Sequence, residues 1–168
     1  MSLGGPLYLA AVKLQRMVAL SANWQAAIGT ADVPTATAAV HLKDVTADVP
    51  RPHAIVSPGE KLIYKPIAGG NQIVLSADGS LFLYLAIDVD AVNLADDLQA
   101  EYAAISFFGQ VCDDVAALSA ADDPGSADGT SHLAIVGIAM RGFYSNPEEE
   151  WQSLGRFFFA GFDVEWSS

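Results

Sequence analysis

Apolar residues along this chain switch between two periods, and each switch marks an element. Over residues 7–28, Leu7, Ala11, Leu14, Val18 and Ala22 recur at helical spacing, with Lys13 and Arg16 off the stripe. This predicts an N-terminal helix ending at Gly29, a residue suited to the C′ position. Residues 30–50 are rich in Ala and Thr and contain Pro34, so they are expected to be loop with a short turn of helix or strand near Val40. Residues 51–57 form a short extended run that should stop at Pro58-Gly59. Residues 61–68 and 71–77 predict a β-hairpin arm (61–77) joined by Gly69-Gly70, with Pro66 confining its first strand to an edge. Asp78-Gly79 is expected to turn the chain into residues 80–87. There Leu81, Leu83, Leu85 and Ile87 face one way and Phe82, Tyr84 and Ala86 the other, the pattern of a central strand.

The helical period returns at residues 93–118. Leu94, Leu98, Tyr102, Ile105, Phe108, Cys112, Val115 and Leu118 step by three and four, after a possible cap at Asn93. Residues 120–131 are polar and lack a hydrophobic anchor, which predicts a mobile loop. Residues 133–144 form another strand, ended by Asn146-Pro147, and residues 148–154 suit a helical turn. In the final strand, Phe158, Ala160, Phe162, Val164 and Trp166 share one face. Phe157, Phe159, Gly161, Asp163 and Glu165 share the other. The expected fold class is α+β: one domain over residues 1–168, with a mixed or antiparallel sheet of four to six strands packed on one long helix and an N-terminal helix. Residues 1–5 are expected to be flexible or a cloning remnant.

Composition narrows the function. The chain is 52% hydrophobic and 17% charged, which argues for a packed core. No apolar run reaches the ~20 residues of a membrane helix. Lys13 and Arg16 follow the first apolar residues instead of preceding them, unlike a signal peptide. An intracellular protein, made in the cytoplasm, is therefore expected. The net charge of −12 is lopsided: residues 1–84 carry six cations against five acids, and residues 85–168 carry two against fifteen. Such a surface repels phosphates and speaks against tight nucleic-acid binding. It suits either plain solubility, a basic partner, or a surface past which DNA slides.

Candidate chemistry is thin. His41, His53 and His132 show no metal-ligand spacing, and Cys112 is the single cysteine, without a partner for a disulfide or a metal site. The run Asp122-Asp123-Pro124-Gly125-Ser126-Ala127-Asp128-Gly129 lacks the alternating acids and the terminal Glu of an EF-hand. Gly69-Gly70 precedes no helix, so it is not a phosphate loop. No catalytic motif is present, and no cofactor or metal is expected; the expectation is that this is not an enzyme. The aromatic cluster Phe143-Tyr144, Trp151, Phe157-Phe158-Phe159 and Trp166 is the stronger signal. One helix layer cannot cover both faces of such a strand, which points to a subunit interface.

Several stretches, taken in order, resemble the tail-terminator, or tail-completion, proteins of long-tailed bacteriophages and prophages. They are MVALSANWQAAIG, RPHAIVSP, GSLFLYLAI leading into the long helix, NPEEEW, and the closing LGRFFFAGFDVEW. The resemblance implies a structural protein that self-associates into a ring, typically hexameric. Such a ring caps the tail tube, contacts the tail-tube and head-connector proteins, and passes DNA through its channel. It also implies a place in the virion tail after synthesis. On this reading Phe143, Tyr144, Trp151 and Phe157 are the candidate interface, with Lys61 and Lys65 of the arm as a second contact. Asp113, Asp114, Asp122, Asp123 and Asp128 are the candidate acidic lumen or partner surface. Alternatives are another neck or baseplate component, or, in a different class, a small-ligand or divalent-cation module or hydrolase using the acidic loop 122–129.

Overall fold

The computed structural model describes residues 5–43, 49–69, 72–89, 97–120 and 133–168. In chain order the elements are α1 (Gly5–Leu20), α2 (Ala22–Ile28), α3 (Val33–Ala38), β1 (Val40–His41), β2 (His53–Gly69), β3 (Gln72–Val89), α4 (Asp97–Ala120), β4 (Ala134–Ser145), a 3₁₀ turn (Glu148–Glu150), α5 (Trp151–Leu154) and β5 (Arg156–Ser167). The fold is α+β, with one mixed five-stranded sheet in the order β1-β2-β3-β5-β4. Among the described residues only β1 is parallel to its neighbour; the other pairings are antiparallel.

The final strand is central to this arrangement, flanked by β3 and β4. Its predicted inner set, Phe158, Ala160, Phe162, Val164 and Trp166, is buried throughout. Leu81, Leu83 and Leu85 of β3 and Ala54 and Val56 of β2 lie on the same face. They merge with Leu14, Met17 and Val18 of α1 and with Phe108, Val111 and Val115 of α4 into one core. Burying an aromatic or aliphatic side chain of this kind contributes about 1.5–3 kcal/mol. The alternation that marked these strands in the sequence therefore has its energetic reason in a helix layer on one side of the sheet.

Several expectations are corrected. The predicted helix over 7–28 is two helices, because Ser21 ends one and caps the next. Its backbone N–H bonds the carbonyl of Met17 at 3.1 Å, while its Oγ accepts from Trp24 N–H at 3.1 Å. The break drives Trp24 to full burial, with its indole N–H 3.4 Å from the carbonyl of Ala36. Gly29 takes a left-handed φ of 75° at the end of α2, as expected. Residues 33–38, expected to be loop, form α3: Asp32 accepts from Thr35 N–H at 3.0 Å, and Pro34 stands in the first turn, where its missing N–H is harmless. Lys13, expected on the solvent side, is 4% exposed and donates from Nζ to the carbonyl of Leu133, pinning the start of β4 to α1.

Neither expected turn within the sheet exists. Pro58 and Gly59 remain inside β2, where the register shifts between Pro58 and Leu62. Asp78 and Gly79 remain inside β3, since Gly79 sits beneath the Trp166 ring: a Cβ there would come 2.6 Å from Cζ2. What looked like two strands on each side is one long β2–β3 ribbon, and β5 pairs only with the part of β3 from Asp78 onward. Pro66 of β2 pairs opposite Leu75 of β3, and among the described residues the far side of β2 is joined by β1 only at Ala54 and Ile55. It therefore stands on an open stretch, as its missing N–H requires. Gly69 pairs with Gln72; residue 70 and the loop 120–131 beyond Ala120 lie outside the described residues, as do Asn93 and Leu94.

The long helix keeps the later half of its predicted stripe, with Phe108 and Val115 buried and Cys112 and Leu118 packed against the core, but its earlier half is turned away. Ala100, Ala104, Phe108, Val111 and Val115 are its fully buried stripe, whereas Leu98, Tyr102 and Ile105 are 58%, 64% and 39% exposed. Small residues at 100 and 104 let the helix approach its neighbours closely, and a hydropathy pattern gave the large residues the weight instead.

Candidate interaction surface

The helices leave the other face of the sheet without a covering layer among the described residues. Strand alternation sends His53 and Ile55 of β2, Phe82, Tyr84 and Ala86 of β3, and Phe157 and Phe159 of β5 to this face. Register then sets Ala86 between His53 and Phe159, with Tyr144 of β4 beyond Phe159. The rings form a connected patch: Tyr144 stacks on Phe159 at 5.0 Å between centroids, and Phe159 lies 6.5 Å from Phe157. Gly161 lies beneath the Tyr84 ring, so the patch has hollows between its rings.

One hollow is a cavity of about 380 Å³ over Ala86, walled by Arg51, His53, Ile55, Tyr84, Phe157 and Phe159. The Arg51 guanidinium lies 4.1 Å above the Phe157 centroid, and its Nε is 2.5 Å from Asp88 Oδ1. That cation is paired and stacked, so it offers a fixed planar wall rather than a free charge. Burial, and then the neighbouring His41 ring at 6.4 Å, hold the His53 imidazole below its ordinary value, which keeps it neutral near neutral pH. The other end of the face is charged. Arg141 covers Phe82 at 4.6 Å and bridges Asp163 at 3.8 Å and Glu60 at 3.6 Å, while Lys61 stands 4.0 Å from Glu165. These groups line a smaller hollow of about 280 Å³.

The patch runs to an open edge. Among the described residues β4 pairs with β5 alone, and its twelve residues carry one charge, Arg141. Val136, Met140 and Tyr144 are 61%, 46% and 55% exposed along it. An edge this long, apolar and lightly charged is a template for pairing with another chain.

Of the residues singled out in the sequence, Tyr144 and Phe157 come together on this surface, linked through Phe159. Phe143 faces the other way: it stacks on Phe158 at 5.4 Å and meets Phe108 at 6.1 Å, within the core layer. Trp151 is committed to the β4–β5 connection. Its ring covers the buried Arg156 at 4.4 Å, and its indole N–H donates to the carbonyl of Asn146 at 3.1 Å. Asn146, itself buried, donates to the carbonyl of Gly155 at 2.7 Å and accepts from Phe157 N–H at 3.0 Å, which fixes the entry of β5. Lys61 is at the charged end of the face, and Lys65 pairs with Asp78.

The acidic candidates do not form one set. Asp113 is exposed on α4. Asp114 turns to the start of α2, accepting from Ser21 Oγ at 2.6 Å, Asn23 Nδ2 at 2.9 Å and Asn23 N–H at 3.3 Å. Burial pushes its carboxyl up, but these hydrogen bonds outweigh it and hold the group below the ordinary carboxylate range. Asp114 is thus a helix staple. Asp122, Asp123, Asp128 and His132 lie outside the described residues. Among the described residues no three His, Cys, Asp or Glu side chains converge as for a metal ion. Burial, and then Asp113, push the Cys112 thiol up to about 12, far from a reactive thiolate. No described helix is long and apolar enough to cross a membrane.

Sequence reasoning did not gather Arg51, His53, Tyr84 and Phe159 into one place. The alternation of β3 and β5 held the signal for the last two, and the pairing of β2 with β3 supplied the rest. No protein-family model matches this chain, and no curated protein matches it in sequence.

Proposed function

We propose that this chain is a structural protein of a phage or prophage tail that acts by self-association, forming a ring that caps the tail tube and joins it to the head-neck proteins. The observation that supports this reading best is the uncovered aromatic face of the sheet, continuous with the open edge of β4. Exposed apolar surface of this kind marks a contact site. The open edge of β4 and the open stretch of β2 lie at opposite sides of the sheet. Joining one to the other between successive copies is a head-to-tail contact, and such contacts close into a ring when the rotation from copy to copy returns to its start. The acidic half of the chain suits a channel through which DNA passes without sticking.

Light scattering after size exclusion, with negative-stain images, tests this reading. The expected result is a concentration-dependent ring and an arrest of tail-tube growth when the protein is added to polymerising tube subunits. Met140→Lys with Val136→Lys, on the open edge, should abolish both while the monomer stays folded. A strict monomer at high concentration that leaves tube length unchanged would sink it.

A further inference from the structure

The long helix α4 is apolar on two sides, and among the described residues only one of them is fully buried. Its buried stripe, Ala100 to Val115, has already been placed in the core. A second row follows residues 98, 102, 105, 109, 112 and 116, occupied by Leu, Tyr, Ile, Gly, Cys and Ala. These positions step by four and three in strict alternation, the spacing of a coiled-coil seam. At ~100° per residue the row lies roughly 120° round the helix from the buried stripe. Leu98, Tyr102 and Ile105 are 58%, 64% and 39% exposed, and Ala116 is exposed as well. Gly109 and Cys112 are half-buried, and Cys112 packs against the core, so the row borders the core there. Nothing among the described residues covers Leu98, Tyr102, Ile105 and Ala116.

Gly109 supplies an independent observation. It stands in the middle of a 24-residue helix, where glycine is unfavourable relative to alanine. A Cβ at this position would meet nothing within 4 Å. No contact among the described residues requires the glycine, whereas Gly79 and Gly161 each lie under a ring. What a bare Cα in an exposed seam permits is the close approach of another helix.

The distribution of sizes names that helix. The first half of the seam is bulky (Leu98, Tyr102, Ile105) and the second half is small (Gly109, Cys112, Ala116). We infer that α4 of a second copy of this chain packs antiparallel on this seam, about a twofold axis near residue 107. Leu98 of one copy then meets Ala116 of the other, Tyr102 meets Cys112, and Ile105 fills the gap over Gly109. Large residues oppose small ones at every level, which is the self-complementarity a twofold contact demands. A parallel pair would set Leu98, Tyr102 and Ile105 against their own copies and leave a gap at Gly109. The outer flank also agrees: it carries Gln99, Ser106 and Asp113, and antiparallel pairing sets Gln99 against Asp113 of the second copy rather than carboxylate against carboxylate. The contact is a single pair of helices about 27 Å long at ~1.5 Å per residue, so it lies at the small end of interfaces and gives a reversible dimer. It uses none of the sheet surface described above, so it stands apart from the proposed ring contact.

The test is a cysteine trap on the full chain. In a Cys112→Ala background, Leu98→Cys and Ala116→Cys are introduced together and the protein is oxidised. The two positions lie roughly 27 Å apart along one helix, while a disulfide needs Cα atoms within about 7 Å, so any bridge is between chains. Peptide mapping is expected to find 98–116 bridges in a covalent dimer. Bridges joining 98 to 98 and 116 to 116, or no covalent dimer at all, would overturn the inference. Gly109→Lys serves as the second arm, because lysine is a good helix former and its Cβ meets open space. It should raise the dimer dissociation constant at least ~10-fold in sedimentation equilibrium while the thermal midpoint of the monomer stays level or rises. Unchanged association in a folded Gly109→Lys protein would refute the contact, even if the β4-edge substitutions abolish ring formation.

Discussion

The two faces of the sheet come from the same strands and alternate residue by residue, yet they behave as different materials. On the inner face Phe158 is fully buried and meets Phe143 and, through it, α4. Its chain neighbour Phe159 turns outward to Tyr144 and Phe157, with no helix above it among the described residues. Composition does not separate them; both are Phe in one triplet. What differs is whether a second layer arrives. A covered face converts apolar area into stability of the monomer, while an uncovered one holds the same area in reserve for association.

The sharpest way to break this comparison is to truncate neighbours. Phe158→Ala should cost about 3–5 kcal/mol in urea unfolding, the range for a buried aromatic, against about 1 kcal/mol for Phe159→Ala. Equal losses would mean that the outer face is as packed as the inner. Glycines under rings provide the next contrast. Gly79→Ala drives a methyl into the buried Trp166 ring and should destabilise by about 1–3 kcal/mol. Gly161→Ala meets Tyr84 at 3.0 Å on the open face, where the ring can shift, and should cost less.

A third test lies on the helix side. Asp114→Ala removes the acceptor for Ser21 and Asn23 and should cost about 1–2 kcal/mol at neutral pH. The sign with pH follows from the lowered carboxyl. The contribution is fully present above the unfolded value near ~3.9 and is lost as pH falls through the lower folded value. The gap between wild type and variant should therefore be constant at neutral pH and close in acid denaturation. A gap that instead opened below pH ~4 would remove the staple from the account. The smallest expected effect is on the outer face: Tyr144→Ser should change monomer stability by less than about 0.5 kcal/mol. It should nevertheless weaken self-association measured by light scattering. A large loss of stability there would show the ring to be a core residue in disguise.

Much of the fold was legible because a period of two or 3.6 is imposed by the layer it faces. The inner row of β5, the central place of β3 and the existence of the long helix all followed from spacing alone. The breaks were less legible. Ser21 divides a continuous helical pattern because an acid ninety-three residues away holds its hydroxyl, and no local window contains that acid. Pro58-Gly59 and Asp78-Gly79 have the chemistry of turns, yet long cross-strand pairing and the Trp166 ring keep both inside strands. In the first half of α4 the large residues carried the hydropathy signal, but packing chose the small ones, since Ala100 and Ala104 allow closer approach than Leu98 or Tyr102.

The candidate surface divides in the same way. Aromatic enrichment near the C-terminus identified Tyr144 and Phe157 as residues in excess of a simple core. It could not tell them from Phe143 and Trp151, because neighbouring positions on a strand point to opposite faces and only the register with β5 says which face a layer covers. The sequence by itself determined the fold class, the inner row of β5 and the excess of apolar surface, all of which are periodic or compositional properties. Tertiary structure alone decided which rings stay exposed, which carboxylate is a staple, and which side of α4 remains open. Those outcomes depend on pairings between segments far apart in the chain, and pairings of that kind leave no period to read.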